Sequence, residues 1–252
     1  MTNIVLIGPT YAGKTSLLIK FSCYLAKIEE ILKKEGIRSA IWRAYFPNAT
    51  FIMAKDVCLK AEPFETYRND YLILNPYLGE VRWITTSGYP DAGIMREDFY
   101  SALESNPARI IFVYDINLGP EGNLKATKVL LELLKAKRNE PLFTRILSGV
   151  PISVNLNKVD IAIEKGFDYE RLKNLANEIS DTIGKFLMRY FKLRENPFEK
   201  AKIYLTYAGR EKKEGLEKYE NEIFFMFYES CKEFLTDVGL KLFKSVINKI
   251  KI

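Results

Sequence analysis

Gly8-Pro9-Thr10-Tyr11-Ala12-Gly13-Lys14-Thr15 lies between the apolar run Asn3-Ile4-Val5-Leu6-Ile7 and the helical stretch Ser16-Leu17-Leu18-Ile19-Lys20-Phe21. No other feature narrows the fold as far. An uninterrupted apolar run has no side fit for water, so it reads as a strand buried on both faces, and such strands belong to parallel sheets covered by helices. The loop satisfies G-x-x-x-x-G-K-[ST] in the strand-to-helix context that gives the pattern meaning. Its glycines let the backbone curl around a phosphate chain, and its N–H groups and the helix start supply positive potential. Lys14 is then expected to reach β- and γ-phosphates, and the Thr15 hydroxyl to ligate Mg²⁺. Gly8, Thr10, Tyr11, Ala12, Gly13 and Ser16 complete the expected phosphate cradle.

The helix after the loop is expected to run to about Gly36, a helix-stopping residue. Tyr71-Leu72-Ile73-Leu74 and Val81-Arg82-Trp83-Ile84-Thr85 read as a hairpin around Pro76 and Gly79, forming the antiparallel edge of the sheet. Further strands are expected at 109–115, 150–156 and 201–206, with helices over 125–137 and 169–191. Residues 37–70, where Pro47 and Pro63 break any long element, read as an insertion with a mobile loop. Residues 216–252 carry Phe224, Phe227, Tyr228, Cys231, Leu235, Val238, Leu242, Val246 and Ile250 near helical spacing. They read as a C-terminal helical extension that packs on the sheet rather than on a membrane surface. The expected fold is one α/β domain over residues 1–252, doubly wound, with a mostly parallel sheet and helices on both faces.

Composition excludes several classes. A chain of 252 residues, 48% hydrophobic and 28% charged, buries a normal core without staples. Cys23, Cys58 and Cys231 lack metal-ligand spacing and are read as reduced structural thiols. No stretch is long and apolar enough to span a bilayer, and Ile4 to Ile7 is too short for a signal-peptide core, so a cytoplasmic location is expected. With 38 Lys and Arg against 32 Asp and Glu, the charge of +6 suits a phosphate-rich ligand without requiring a nucleic-acid partner. Many charges of both signs, with neither His nor Gln, fit a heat-adapted protein.

Asn157-Lys158-Val159-Asp160 follows directly on an apolar strand, at the carboxyl edge where open α/β sheets bind ligands. With the loop at Gly8 to Thr15, it resembles the Ras-like small GTPases, a branch of the P-loop NTPases whose N-K-x-D motif reads guanine. The resemblance implies a Ras-like G domain with insertions, binding GTP or GDP with Mg²⁺. Asp160 would accept from the guanine N1–H and 2-amino group, Asn157 would support the loop, and the Lys158 stem would lie along the ring. Thr206-Tyr207-Ala208-Gly209 is similar to the family's short loop that contacts the guanine oxygen, implicating Tyr207 and Ala208.

The switch regions depart from the family pattern. The resemblance puts Thr85 where the family has an Mg²⁺-supporting Asp, keeps its Gly as Gly88, and puts Tyr89 where a Gln orients water. The switch I threonine that closes over Mg²⁺ falls at Thr66, with Thr50 as the alternative, and Arg68, Asp91 and Arg96 lie in the same loops. Gly8-Pro9, Gly79-Glu80 and Thr85-x-x-Gly88 are similar to the bacterial polarity-switch GTPases of the MglA type, and an archaeal member would suit the composition. The expected function is a regulatory GTPase with slow intrinsic hydrolysis, using Lys14, Thr66 and Gly88 in catalysis. It implies a protein effector and an activating partner, roadblock-type by analogy. The alternative is a nucleotide-holding assembly subunit with little turnover; a metabolite kinase has no need of the guanine-reading motif.

Overall fold

The computed structural model describes residues 1–34, 43–45, 51–53, 70–74, 77–86, 100–135, 140–209 and 213–250. Among these, eight strands form one sheet: β1 (Thr2–Ile7), β2 (Arg43–Tyr45), β3 (Phe51–Met53), β4 (Asp70–Ile73), β5 (Val81–Thr85), β6 (Arg109–Asp115), β7 (Ile152–Asn157) and β8 (Lys202–Leu205). Their spatial order is β3-β2-β4-β5-β1-β6-β7-β8. From β5 to β8 neighbouring strands are parallel, whereas β4, β2 and β3 extend the sheet by antiparallel pairing.

The hairpin read from Tyr71 to Thr85 is present, with Leu72 opposite Trp83. It is not the sheet edge, however. Residues 37–70, read as an insertion with a mobile loop, contribute the short strands β2 and β3, and β2 pairs with β4 from Arg43 opposite Ile73 to Tyr45 opposite Tyr71. Three-residue strands are too short to show alternation, and the ladder offered by β4 supplies what the local pattern lacks.

Helices cover both faces. Along β1, Val5 and Ile7 face one core while Ile4 and Leu6 face the other, as the uninterrupted apolar run requires. The first core packs under the helical residues 100–104, α2 (Gly119–Lys135), α3 (Glu140–Gly149) and α5 (Tyr169–Tyr190); α4 (Val159–Glu164) joins it through Val159 and Ala162. The second lies under α1 (Lys14–Lys34), α6 (Glu217–Cys231) and α7 (Asp237–Ile250). In α5 the buried residues Leu172, Ala176, Ile179, Ile183 and Leu187 recur every three or four positions. Asp168 starts that helix by accepting from the Arg171 N–H at 2.8 Å.

The C-terminal stripe, which reads as continuous, breaks after Cys231. The break clasps the turn between β4 and β5: the Thr236 N–H donates to the Leu78 carbonyl at 2.9 Å, and its hydroxyl to the Tyr77 carbonyl at 2.8 Å. Gly79 and Gly239 are required there, since a Cβ on Gly79 would meet the Phe234 carbonyl oxygen and one on Gly239 the Leu78 carbonyl oxygen. The reading of Cys23 as a reduced thiol is corrected, because Cys23 is disulfide-bonded; Cys231 is free and buried, and Cys58 lies outside the described residues. Among the described residues no helix is long and apolar enough to cross a membrane.

Candidate functional site

The strand order reverses at β1. Strands β2 to β5 lie on one side of it and β6 to β8 on the other. The carboxyl end of β1 therefore opens on the crevice where doubly wound sheets bind ligands. Residues 8–13 occupy this point and lead into α1.

Close packing dictates the glycines. A Cβ on Gly8 would run into the Val113 carbonyl oxygen of β6, so the loop leaves β1 hard against its neighbour. Gly13 has φ +93°, a conformation other residues adopt only with strain, and a Cβ there would meet the Asn157 side-chain amide. Tyr11, at φ 64°, is in the left-handed region and 81% exposed, so the loop turns through successive unusual dihedrals before α1 begins. The Lys14 side chain is buried and donates to the carbonyls of Gly8 and Pro9, each at 2.9 Å. Its ammonium thus lies inside the curl of the loop, where loop N–H groups and the helix start also concentrate positive potential. Thr15 follows, half-buried, and Ser16 is exposed.

Gly13→Ala combines a left-handed φ with a collision, and should cost about 1–3 kcal/mol of stability. Urea unfolding of the two proteins measures this, and an unchanged midpoint would mean that the loop does not turn as described.

The second expected segment stands beside the first. Asn157 is buried at the end of β7, and its Nδ2 donates to the Ala12 carbonyl at 3.2 Å. Thr206 Oγ1, just past β8, lies 3.0 Å from Asn155 Oδ1 and 3.2 Å from Asn157 Oδ1, so its one proton is shared between them. The Val159 N–H donates to the Thr206 carbonyl at 3.3 Å. Asn157 thereby joins the Gly8–Thr15 loop, the 157–160 segment and the 206–209 segment at one end of the sheet.

Lys158 follows β7 in a left-handed turn. It sits at φ 66°, ψ 38°, and its Nζ pairs with Asp115 Oδ2 at 2.8 Å. Asn117 donates to the Lys158 carbonyl at 2.9 Å and also to Asp115. Burial would push the Asp115 carboxyl up, but Lys158 and the two donors from Asn117 outweigh it and hold it below the usual carboxylate range. The carboxylate is therefore ionised and pins the lysine in its left-handed turn. Asp160 opens α4 with a side chain 15% exposed, paired with Lys213 Nζ at 3.1 Å. Tyr207 is buried and packs into the first core, while Ala208 lies partly buried against the second.

Residues 8–16, 157–160 and 207–208 thus converge, as their positions after strands β1, β7 and β8 require. Asp115, Asn117 and Lys213 join them without having been anticipated, and Thr206, which opens the expected 206–209 loop, adds a hydroxyl that was assigned no role. A carboxylate closing the buried run Ile110 to Tyr114 was a usable signal for Asp115; nothing local marks Lys213. Thr85 is fully buried at the end of β5, beside Leu6. Thr66, Gly88, Thr50, Arg68, Tyr89, Asp91 and Arg96 lie outside the described residues.

Among the described residues no group of three or more Asp, Glu, Cys or His lies together as a metal cage. An Mg²⁺ bound with phosphates asks for something else, a hydroxyl at the start of the helix, and Thr15 fits that requirement. A cavity of about 400 Å³ lined by Arg109, Ile152, Lys202 and Glu229 lies at the opposite, amino-terminal ends of β6 to β8. It lies away from the carboxyl edge, and two of its charges are paired within its own lining, Arg109 with Glu233 at 2.8 Å and Lys232 with Glu229 at 2.8 Å. No protein-family model matches the chain, and a search of curated proteins finds no match.

Proposed function

We propose that the chain binds guanine nucleotides and hydrolyses GTP slowly, as a switch protein of the Ras-like kind. The observation that carries this reading is the position of Asn157. One buried amide joins the loop with the phosphate-binding pattern to the segment with the guanine-reading pattern, and reaches the third segment through Thr206. A phosphate cradle and a base reader are useful together only when held at a set spacing, and Asn157 supplies that brace. Lys14 and the N–H groups of residues 10–16 would hold the β- and γ-phosphates, and Asp160 would take the two donors of guanine. Mg²⁺, held at Thr15, would supply charge neutralisation on the phosphate oxygens.

Calorimetric titration of the purified chain tests the reading. GDP should bind at least about 100-fold more tightly than ADP, because adenine would leave the Asp160 carboxylate without its donors. Lys14→Ala should weaken GDP and GTP together by roughly 10–100-fold, since it removes a charge-assisted phosphate contact that carries no base information. Equal affinities of the native chain for GDP and ADP would end the proposal.

A second reading, a subunit that holds nucleotide but turns it over little, draws support from Thr85. This residue is fully buried where the resemblance calls for a carboxylate to support Mg²⁺. Single-turnover GTP hydrolysis with and without cell extract separates the two readings, because a switch is accelerated by a partner and a structural subunit is not.

A further inference from the structure

Lys213, between β8 and α6, donates to Asp160 Oδ2 at 3.1 Å and to Glu164 Oε1 at 2.7 Å. Asp160 and Glu164 are four residues apart on α4 and so lie on one face of that helix. Their exposure differs: the Asp160 side chain keeps 15% of its surface and that of Glu164 keeps 63%. The ammonium also lies 5.8 Å from the centroid of the buried Tyr207 ring, at the carboxyl ends of β7 and β8. The hydrogen bonds it donates to Glu164 first, and to Asp160 next, hold its pKa above the ordinary lysine range, so it stays charged.

Guanine offers two donors side by side, N1–H and the 2-amino group, and reading both takes both oxygens of one carboxylate. With an ammonium on Oδ2, Asp160 has only one oxygen at full strength for that task. We infer that Lys213 competes with the base for Asp160, and that Glu164 is the carboxylate that retains the ammonium when Asp160 is given over to guanine. The inference rests on the guanine-reading role proposed above and adds a residue that sets how tightly guanine is held.

The competition makes two substitutions at neighbouring positions act in opposite directions. Lys213→Ala leaves Asp160 open and should tighten GDP binding by about three- to fivefold, the range of a partly exposed ion pair. Glu164→Gln deprives the ammonium of its second carboxylate, commits it to Asp160, and should weaken GDP binding by a similar factor. In the double variant the Glu164 change should have no further effect, because Glu164 acts only through Lys213. The measurement is calorimetric titration of the full chain and its three variants with GDP, and with ADP as control, at one salt concentration. A native chain that binds GDP and ADP equally would overturn the base-reading proposal itself. A preserved GDP preference in which Lys213→Ala fails to tighten binding, or in which Glu164→Gln still weakens it when Lys213 is absent, would overturn the competition and leave base reading standing.

Discussion

Asp160→Asn should lower GDP and GTP affinity by roughly 10³-fold and make a xanthine nucleotide the better ligand. Asp160 is at the start of α4, and its side chain keeps only 15% of its surface, so a donor brought to it gains more than it would from an exposed carboxylate. Two charge-assisted hydrogen bonds of about 1.5–3 kcal/mol each account for the factor, with part of their sum recovered by the amide oxygen. The amide keeps one acceptor for N1–H and turns a donor towards position 2. There guanine has an amino group, which also donates, and xanthine has a carbonyl, which accepts. Lys213 keeps Glu164 at 2.7 Å in the variant, so no charge is stranded by the change. Displacement titrations with GDP, XDP and ADP give the outcome directly. If GDP affinity is unchanged, Asp160 does not touch the base.

Phe21→Ala should have the largest effect on stability, about 3–5 kcal/mol, lowering the unfolding midpoint by roughly 10 °C in a chain of this size. Phe21 is fully buried on α1, about two turns beyond Lys14. Its ring stacks on Phe227 of α6 at 4.2 Å, meets Trp83 of β5 edge-on at 5.1 Å, and lies 6.0 Å from Phe224 and 6.5 Å from Phe243 of α7. The residue therefore ties the helix that leaves the phosphate-binding loop to the C-terminal helices, and truncation would leave a cavity where four elements meet. Thermal unfolding followed by circular dichroism measures the loss. A loss below about 1 kcal/mol would mean that α6 and α7 do not close over α1, and residues 216–250 would have to be treated as a separable appendage.

The parts of the fold legible in the chain were those with a local cause. The apolar run before Gly8 implied a strand covered on both faces, and β1 sends alternate residues into the two cores. The stripe from Leu172 to Leu187 implied the long helix α5 within a residue of its bounds, and the hairpin chemistry around Gly79 implied β4 and β5. What the pattern missed was short or caused from elsewhere. Strands β2 and β3 have three residues each and exist as additions to β4. The helix α3 is ten residues long, with Phe143, Ile146 and Leu147 as its only described buried face, too brief a stripe to stand out from its surroundings. The break between α6 and α7 leaves the helical spacing almost undisturbed, and its cause is the clasp on Leu78 and Gly79.

For the candidate site the division is the same. Glycines at 8 and 13, the lysine and threonine that follow, and Asn157 to Asp160 announce themselves because a loop that must curl against a strand, or a turn that must end one, selects residue types at fixed local offsets. That much the sequence by itself determined, together with the alternation of strands and helices that sets these loops at the carboxyl edge of the sheet. Tertiary structure alone decided how they are joined: Asn157 bonds to a carbonyl 145 positions away, Lys158 to an aspartate 43 positions away, and Asp160 to a lysine 53 positions away. Side-chain bonds of this kind depend on which strands lie side by side, and strand order is settled by the packing of both faces at once, a non-local quantity that no window of the chain contains.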